Sequence, residues 1–158
     1  MQVDWSNWTP RERATLLFVV QDGQVLLIRK KRGLGAGKIN GPGGRMELGE
    51  TAEEAAIRET REELCIEAYD PELIGELHFQ FVDGYSLHCS VFISPRFSGT
   101  PTETDEADPI WTPLDAIPYH DMWQDDIHWF PALLDRRKFR GYFAFDSDRL
   151  LNHRMEWL

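Results

Sequence analysis

Runs of β-branched and large apolar residues, separated by short polar breaks, divide the chain into strands and helices. Residues 15–20 and 24–29 are β-rich, and Asp22-Gly23 between them marks a tight hairpin turn. Residues 73–82 and 86–93 repeat the arrangement around Asp83-Gly84. Residues 51–64 predict the clearest helix: Thr51 and Glu54 form a capping box with Thr51 as N-cap, and Ala52, Ala55, Ala56 and Arg58 favour the helical state. A second helix is predicted over 127–137, with Trp129, Phe130, Leu133 and Leu134 for its buried face. A last, aromatic strand follows over 138–145. The intervening segments read as connections. They are a polar, Trp-containing arm before Glu12, a glycine-rich loop over 30–44 with a turn at Asn40-Gly41, a polar loop over 94–109, and a short strand over 110–113. Strands around one strong helix, with another helix near the end, predict the α/β class, as a mixed-sheet α/β/α sandwich in one domain over 1–158.

Composition narrows the functional classes. The 158 residues carry 17 basic and 27 acidic side chains, a formal charge of −10. Such a chain does not grip a nucleic-acid backbone through a general basic surface. It can hold one small phosphorylated molecule where a metal and a few local cations screen the charge. Only Cys65 and Cys89 are present, which is neither a disulfide framework nor a metal-binding spacing. The first residues lack the apolar core of a signal peptide, and no apolar run is long enough to span a membrane. The expectation is a cytoplasmic protein, monomeric, with no nucleic-acid or membrane partner.

Glu59, Glu62 and Glu63 fall at i, i+3 and i+4, so a helix brings them to one face. Taken alone, that spacing also describes a solvated helix face neutralised by Arg58 and Arg61. A hard cation is the other way to offset the repulsion, because Mg²⁺ prefers carboxylate oxygens, water and substrate phosphates. The wider pattern supports the cation. Gly44, five residues, Glu50, seven residues, Arg58-Glu59, Glu62-Glu63 and Ile66 together resemble the Nudix box, G-x5-E-x7-R-E-U-x-E-E-x-G-U, where U is a bulky aliphatic residue. The chain departs from it at Thr60, in place of the first aliphatic, and at Cys65, in place of the glycine that ends the helix. Cys65 must either adopt a left-handed conformation at some cost or let the helix end differently.

The resemblance implies a Mg²⁺-dependent hydrolase, with Mn²⁺ as a substitute cofactor. The carbonyl of Gly43 and the carboxylates of Glu59, Glu62 and Glu63 are its implied metal ligands, with Glu106 adding a further carboxylate unless it is a solvated loop acid. Glu63, Glu59 and Arg58 form the implied catalytic set: Glu63 deprotonates or orients the attacking water, Arg58 orients the acids, and Glu50 braces the junction of loop and helix. A cation held there neutralises phosphate charge, acidifies a water and aligns the leaving phosphate.

Likeness to the MutT-homologue subgroup of Nudix hydrolases extends to the loop over 30–44, to residues 99–106, to 121–126 with Trp129-Phe130-Pro131, and to 138–143. It implies hydrolysis of oxidised purine nucleoside triphosphates, 8-oxo-dGTP and 2-oxo-dATP, to the monophosphate and pyrophosphate. The implied substrate contacts are Thr15, Lys30, Asn40, Pro42, Gly43, Gly44, Arg45, Phe79, Trp123, Gln124, Asp125 and Asp126. Residue chemistry points the same way. A purine needs flat apolar faces, which Trp123 and Phe79 offer, and edge-directed hydrogen bonds, which the Asn40 amide can supply. Two adjacent carboxyls in an apolar pocket push their pKa values apart, so one of Asp125 and Asp126 can keep its proton and donate. Capping of the following helix is the competing explanation for the pair. Solvation competes for Lys30, and core packing for Thr15. Leu34 stands where the subgroup has an aromatic residue. Hydrolysis of another nucleoside triphosphate or X-linked diphosphate, and a non-catalytic nucleotide-binding module, are the alternative functions.

Overall fold

The structure, a computed structural model, describes residues 1–158. Strands β1 (Glu12–Gln21) and β2 (Gln24–Lys30) form the first hairpin. Asp22 and Gly23 both have positive φ (51° and 74°), the two-residue connection that matches strand twist. The glycine-rich segment, expected as a loop, contains two short strands, β3 (Ile39–Asn40) and β4 (Gly43–Arg45). The expected turn at Asn40-Gly41 does not form. Asn40 pairs with Ile28 of β2, and the turns lie earlier, at Gly33, Gly35 and Gly37, whose φ values are 82°, 80° and 90°. Non-local backbone pairing has overridden the local turn preference of Asn-Gly.

Helix α1 (Ala52–Leu64) starts with the predicted box: the Thr51 hydroxyl accepts from the Glu54 N–H at 3.1 Å, and the Glu54 carboxylate accepts from the Thr51 N–H at 2.9 Å. Cys65 ends it in the left-handed conformation (φ 61°, ψ 31°) that its missing glycine would have occupied, and its N–H donates to the Arg61 carbonyl. For a residue with a Cβ this costs about 1–2 kcal/mol.

Next come β5 (Glu67–Tyr69), β6 (Glu72–Phe81), β7 (Ser86–Ser94), β8 (Arg96–Ser98) and β9 (Ala107–Pro113). The expected polar loop over 94–109 is therefore partly strand, because β8 pairs with β5 and β9 extends back to Ala107 along β2. Helix α2 (Asp126–Leu134) is shorter than its pattern suggested. Strand β10 (Phe139–Asp146) is not the last: β11 (Arg149–Trp157) pairs with it antiparallel at the sheet edge. None of its residues is buried, so it lacks the apolar alternation that marks a core strand. The N-terminal arm is docked, with Trp8 donating to the Gln80 side chain at 2.9 Å and Trp5 lying 5.3 Å from the Tyr142 ring.

The main sheet runs β11-β10-β6-β7-β1-β2-β3, with β4 on β1 and β9 on β2. It is mixed, since β1–β7 and β6–β10 are parallel pairs. Alternation along β1 and β2 sends side chains to two cores. Leu17, Val19, Leu26 and Ile28 meet Ala56, Leu64 and Ile66 on the α1 face. Phe18, Val25 and Leu27 meet Trp129, Phe130 and Leu133 on the α2 face. Each large apolar side chain so buried contributes about 1.5–3 kcal/mol. The result is the expected α/β/α sandwich. No helix is long and apolar enough to cross a membrane.

Candidate active site

β1 changes partner along its length, and that change builds the outer part of the site. Its C-terminal end pairs with β2, while Ala14, Thr15 and Leu16 pair with Arg45, Gly44 and Gly43 of β4. The approach is closer than a side chain permits. A Cβ on Gly43 would lie 1.9 Å from the Thr15 carbonyl oxygen, and one on Gly44 would lie 2.5 Å from the Glu59 carboxyl carbon. The two glycines thus let α1 press its acidic face onto the strand.

Glu63 is 6% exposed. Its Oε1 accepts a long hydrogen bond from the Gly43 N–H (3.4 Å), and its Oε2 has no partner. Burial, reinforced by the Glu59 charge, pushes its pKa up to about 8. Burial also raises Glu59, against the pull of Arg58. Arg58 holds this face together. It grips both Glu50 oxygens (2.6 and 3.0 Å), Glu59 (3.0 Å), Glu62 (3.2 Å) and the Arg45 carbonyl (3.1 Å). No three of the acids converge on a single point as a closed cation cage. Glu59, Glu62 and Glu63 line one side of a cavity of about 800 Å³, and Glu106, paired with Arg32, lines it too. Arg58 does not line it, so its place is behind the acids.

A second, inner cavity of about 120 Å³ opens from this one at Ala14, Gly43, Gly44, Glu63 and Lys30, which border both. Its walls bring together Thr15, Asn40, Phe79, Trp123, Asp125 and Asp126. Thr15 is 1% exposed with an unpartnered hydroxyl, so its polar end is not spent on packing. The Asn40 Oδ1 accepts from the Gly41 N–H, leaving the NH₂ free of protein partners. Trp123 stands edge-on to Phe81 and Phe145, and Lys38 sits 5.3 Å over its ring. Phe79 stacks on Phe143.

Asp125 and Asp126 are 2% and 3% exposed. Asp125 occupies the N-cap position of α2, yet its side chain makes no capping hydrogen bond. Its Oδ2 instead accepts from the Trp129 indole N–H at 2.7 Å, and Asp126 Oδ2 has no partner. Helix capping therefore does not account for the pair. Burial raises both pKa values, and the Asp125 charge raises Asp126 further; no cation offsets either. Both carboxyls are thereby pushed toward the protonated form relative to isolated aspartates.

Two expected contacts lie elsewhere. Pro42 lines neither cavity, and its carbonyl accepts from the Leu17 N–H to join β4 to β1. Gln124 is exposed and accepts from the Leu150 N–H at 2.7 Å, tying the segment to β11. Arg45 and Gly44 border the outer cavity, and Leu34 borders both. Several lining residues were missed. Trp129 was discoverable, being four residues from Asp125 on one helix, and Leu87 and Cys89 point inward by strand alternation. Arg11 and Tyr85 gave no local signal, because their place at the outer cavity depends on how the strands are paired.

Comparison with known proteins identifies relatives of the chain. The family profile described as NUDIX domain matches residues 10–133. A protein named oxidized purine nucleoside triphosphate hydrolase from Danio rerio is 44% identical over 144 residues, 90% of this chain and 92% of its own. Its namesake from Mus musculus is also 44% identical, over 88% of this chain and 90% of its own. Among solved structures, the mutator MutT protein of Bacillus halodurans superposes with a TM-score of 0.83 at 30% identity, covering 92% of this chain and 97% of that one.

Proposed function

We propose, for a chain that belongs to the Nudix family, that it hydrolyses oxidised purine nucleoside triphosphates, 8-oxo-dGTP and 2-oxo-dATP, to the monophosphate and pyrophosphate. The observation that carries this reading is the buried Asp125–Asp126 pair at the inner cavity, which has no cation partner and whose carboxyls burial pushes toward the protonated form. A protonated carboxyl donates and its ionised neighbour accepts, so the pair can present both roles to a base edge. Redistributing the single proton lets one pocket read oxidised guanine and oxidised adenine. Asn40 supplies an amide donor, Thr15 a free hydroxyl, and Trp123 and Phe79 apolar faces. The names of the fish and mouse relatives support the same substrate class.

A base in the inner cavity sends its phosphates outward past Lys30 and Glu63. Glu59, Glu62 and Glu63, with the Gly43 carbonyl and Glu106, would hold Mg²⁺, with Mn²⁺ as substitute. The donor set fits: it is all carboxylate and carbonyl oxygen, and the buried Glu63 Oε2 has no partner of its own. When bound, the cation neutralises phosphate charge and acidifies water. The Glu63 carboxylate orients the attacking water and takes its proton as the water adds to phosphorus and the α–β phosphoanhydride bond breaks. Arg58 acts as a positioning residue, keeping Glu59 and Glu62 on the cavity side of α1. A monomeric, cytoplasmic existence belongs to the same proposal.

The test is a panel of kcat/KM values for 8-oxo-dGTP, 2-oxo-dATP, dGTP, dATP and methylated purine triphosphates, with Mg²⁺ present or chelated. The expected outcome is pyrophosphate release only with metal, and preference for both oxidised bases by about tenfold or more. Equal use of oxidised and normal purines would remove the substrate assignment. No release from any purine triphosphate by folded protein would remove the reaction.

A further inference from the structure

The loop over 99–106 closes the end of α1 from outside the helix. The last turn of a helix leaves carbonyls without intrahelical partners. The Cys65 N–H reaches back to the Arg61 carbonyl, and two of the carbonyls beyond it are served by the loop. The Thr102 N–H donates to the Leu64 carbonyl at 2.9 Å, and the Thr104 hydroxyl donates to the Glu63 carbonyl at 2.7 Å. The same hydroxyl accepts from the Glu106 N–H at 3.2 Å. Through one oxygen, Thr104 joins the backbones of two acids that line the outer cavity. The Thr104 N–H on the Ala107 carbonyl (2.9 Å) and the Lys31 N–H on the Glu106 carbonyl (3.0 Å) complete the turn. The Glu106 carboxylate is paired with Arg32, but both side chains are exposed, so that pair contributes little to holding it.

We infer that Thr104 is a positioning residue for the bound cation: its hydroxyl ties the Glu106 backbone to the α1 backbone at Glu63, and so fixes where the Glu106 carboxylate enters the cavity that the helix acids line. This rests on the functional reading above, in which Glu63 and Glu106 both hold Mg²⁺. Proximity supports it, because the Glu106 charge acts on both Glu59 and Glu63. Thr104 itself lines neither cavity, so its effect passes through Glu106. The role needs a donor and an acceptor on one atom, close to the backbone. Serine can also supply that, while valine and alanine cannot. Groups that orient the ligands of a metal set its affinity by about 10–100-fold.

The experiment is titration of the metal-free protein with Mn²⁺ alone, read by the electron paramagnetic resonance signal of the free ion. It compares the natural chain, T104V, T104S, E106Q and T104V/E106Q. T104A, in which water can reach the freed carbonyl and N–H, is measured beside T104V, so a poorly folding valine variant leaves the inference testable. Circular dichroism verifies each fold. The expected result is an affinity lower by about tenfold in T104V, T104A and E106Q, and recovery to within about twofold of the natural value in T104S. T104V/E106Q should fall no further than E106Q, because the two residues act as one unit. Unchanged Mn²⁺ affinity in T104V and T104A overturns the inference, and so does natural affinity in E106Q. Losses that multiply in the double variant also overturn it, since Thr104 would then act on the helix end and not through Glu106. Turnover of 8-oxo-dGTP by the natural chain, measured alongside, decides the substrate and the reaction separately. A chain that shows this Mn²⁺ pattern but hydrolyses no purine triphosphate keeps the inference and removes that assignment.

Discussion

Glu59 and Glu62 on α1 share one guanidinium, while Asp125 and Asp126 at the start of α2 have no cation at all. Both pairs sit at the same connected cavities, and burial raises Glu59 on one and both aspartates on the other. The difference lies in what balances the charge. Around α1 the Arg58 fork and an open cavity keep carboxylates available to an incoming cation. Around α2 no cation is near, the Trp129 indole N–H donates to Asp125, and burial pushes both carboxyls toward the protonated form. On the proposed reading, the same chemical group serves a metal in one place and base recognition in the other. What separates them is the nearest cation and the depth of burial.

The largest expected effect tests the first half of that contrast. Glu63→Gln keeps the shape but removes the proton acceptor, and turnover should fall by about 10²–10⁴-fold while nucleotide binding persists. Single-turnover assays with a binding titration measure both, and near-normal turnover would strip Glu63 of its role. Arg58→Lys keeps the charge but not the fork. The expected result is a kcat lower by about tenfold and a lower melting temperature, since Glu50, Glu59 and Glu62 then repel without a common partner. Unaltered kcat would mean that the acids need no brace.

Asp125→Asn and Asp126→Asn test the second half. Each fixes one hydrogen-bonding pattern where the pair can offer two, so KM for oxidised purines should rise by about tenfold and the ratio of 8-oxo-dGTP to 2-oxo-dATP use should shift. An unchanged ratio in both variants would return the pair to a structural role. The same pair predicts a pH effect on stability. Their pKa values are raised on folding, so above about pH 4, the ordinary aspartate value, the folded chain binds more protons than the unfolded one. The pair's contribution to stability is then greatest at and below that pH, and declines as pH rises through about 6, where Asp125 titrates, and beyond for Asp126. Urea midpoints at several pH values should fall more steeply with pH in the natural chain than in the doubly amidated variant. Parallel slopes would contradict the retained proton.

The smallest effect is a control on the contrast. Cys65→Gly relieves the left-handed end of α1 and should stabilise the protein by about 1 kcal/mol, with kcat unchanged. A change in kcat would show that the helix end, and not only the Arg58 fork, sets the geometry of the acids.

Local rules were enough for the features whose partners lie within a few residues. The Thr51–Glu54 box, the Asp22-Gly23 turn and the i, i+3, i+4 spacing of Glu59, Glu62 and Glu63 are of this kind, and all appear as read. Short or edge strands were not legible, because β3, β4, β5, β8 and β11 owe their existence to partners elsewhere in the chain. Pro42 and Gln124 matched the resemblance by position, but the Pro42 carbonyl accepts from Leu17 and the Gln124 Oε1 from Leu150.

By itself, then, the sequence determined which acids share a helix face and which two lie adjacent at a helix start, because periodicity and adjacency are properties of the chain. It did not determine their states of charge. Arg58 reaches Glu50 across eight positions, and the apolar walls around Asp125 and Asp126 come from strands far away in the chain. A carboxyl's affinity for a proton or a cation depends on solvent access and on the charges within a few ångströms. Those distances exist only after the sheet has brought β1, β2, β6 and β7 against the two helices.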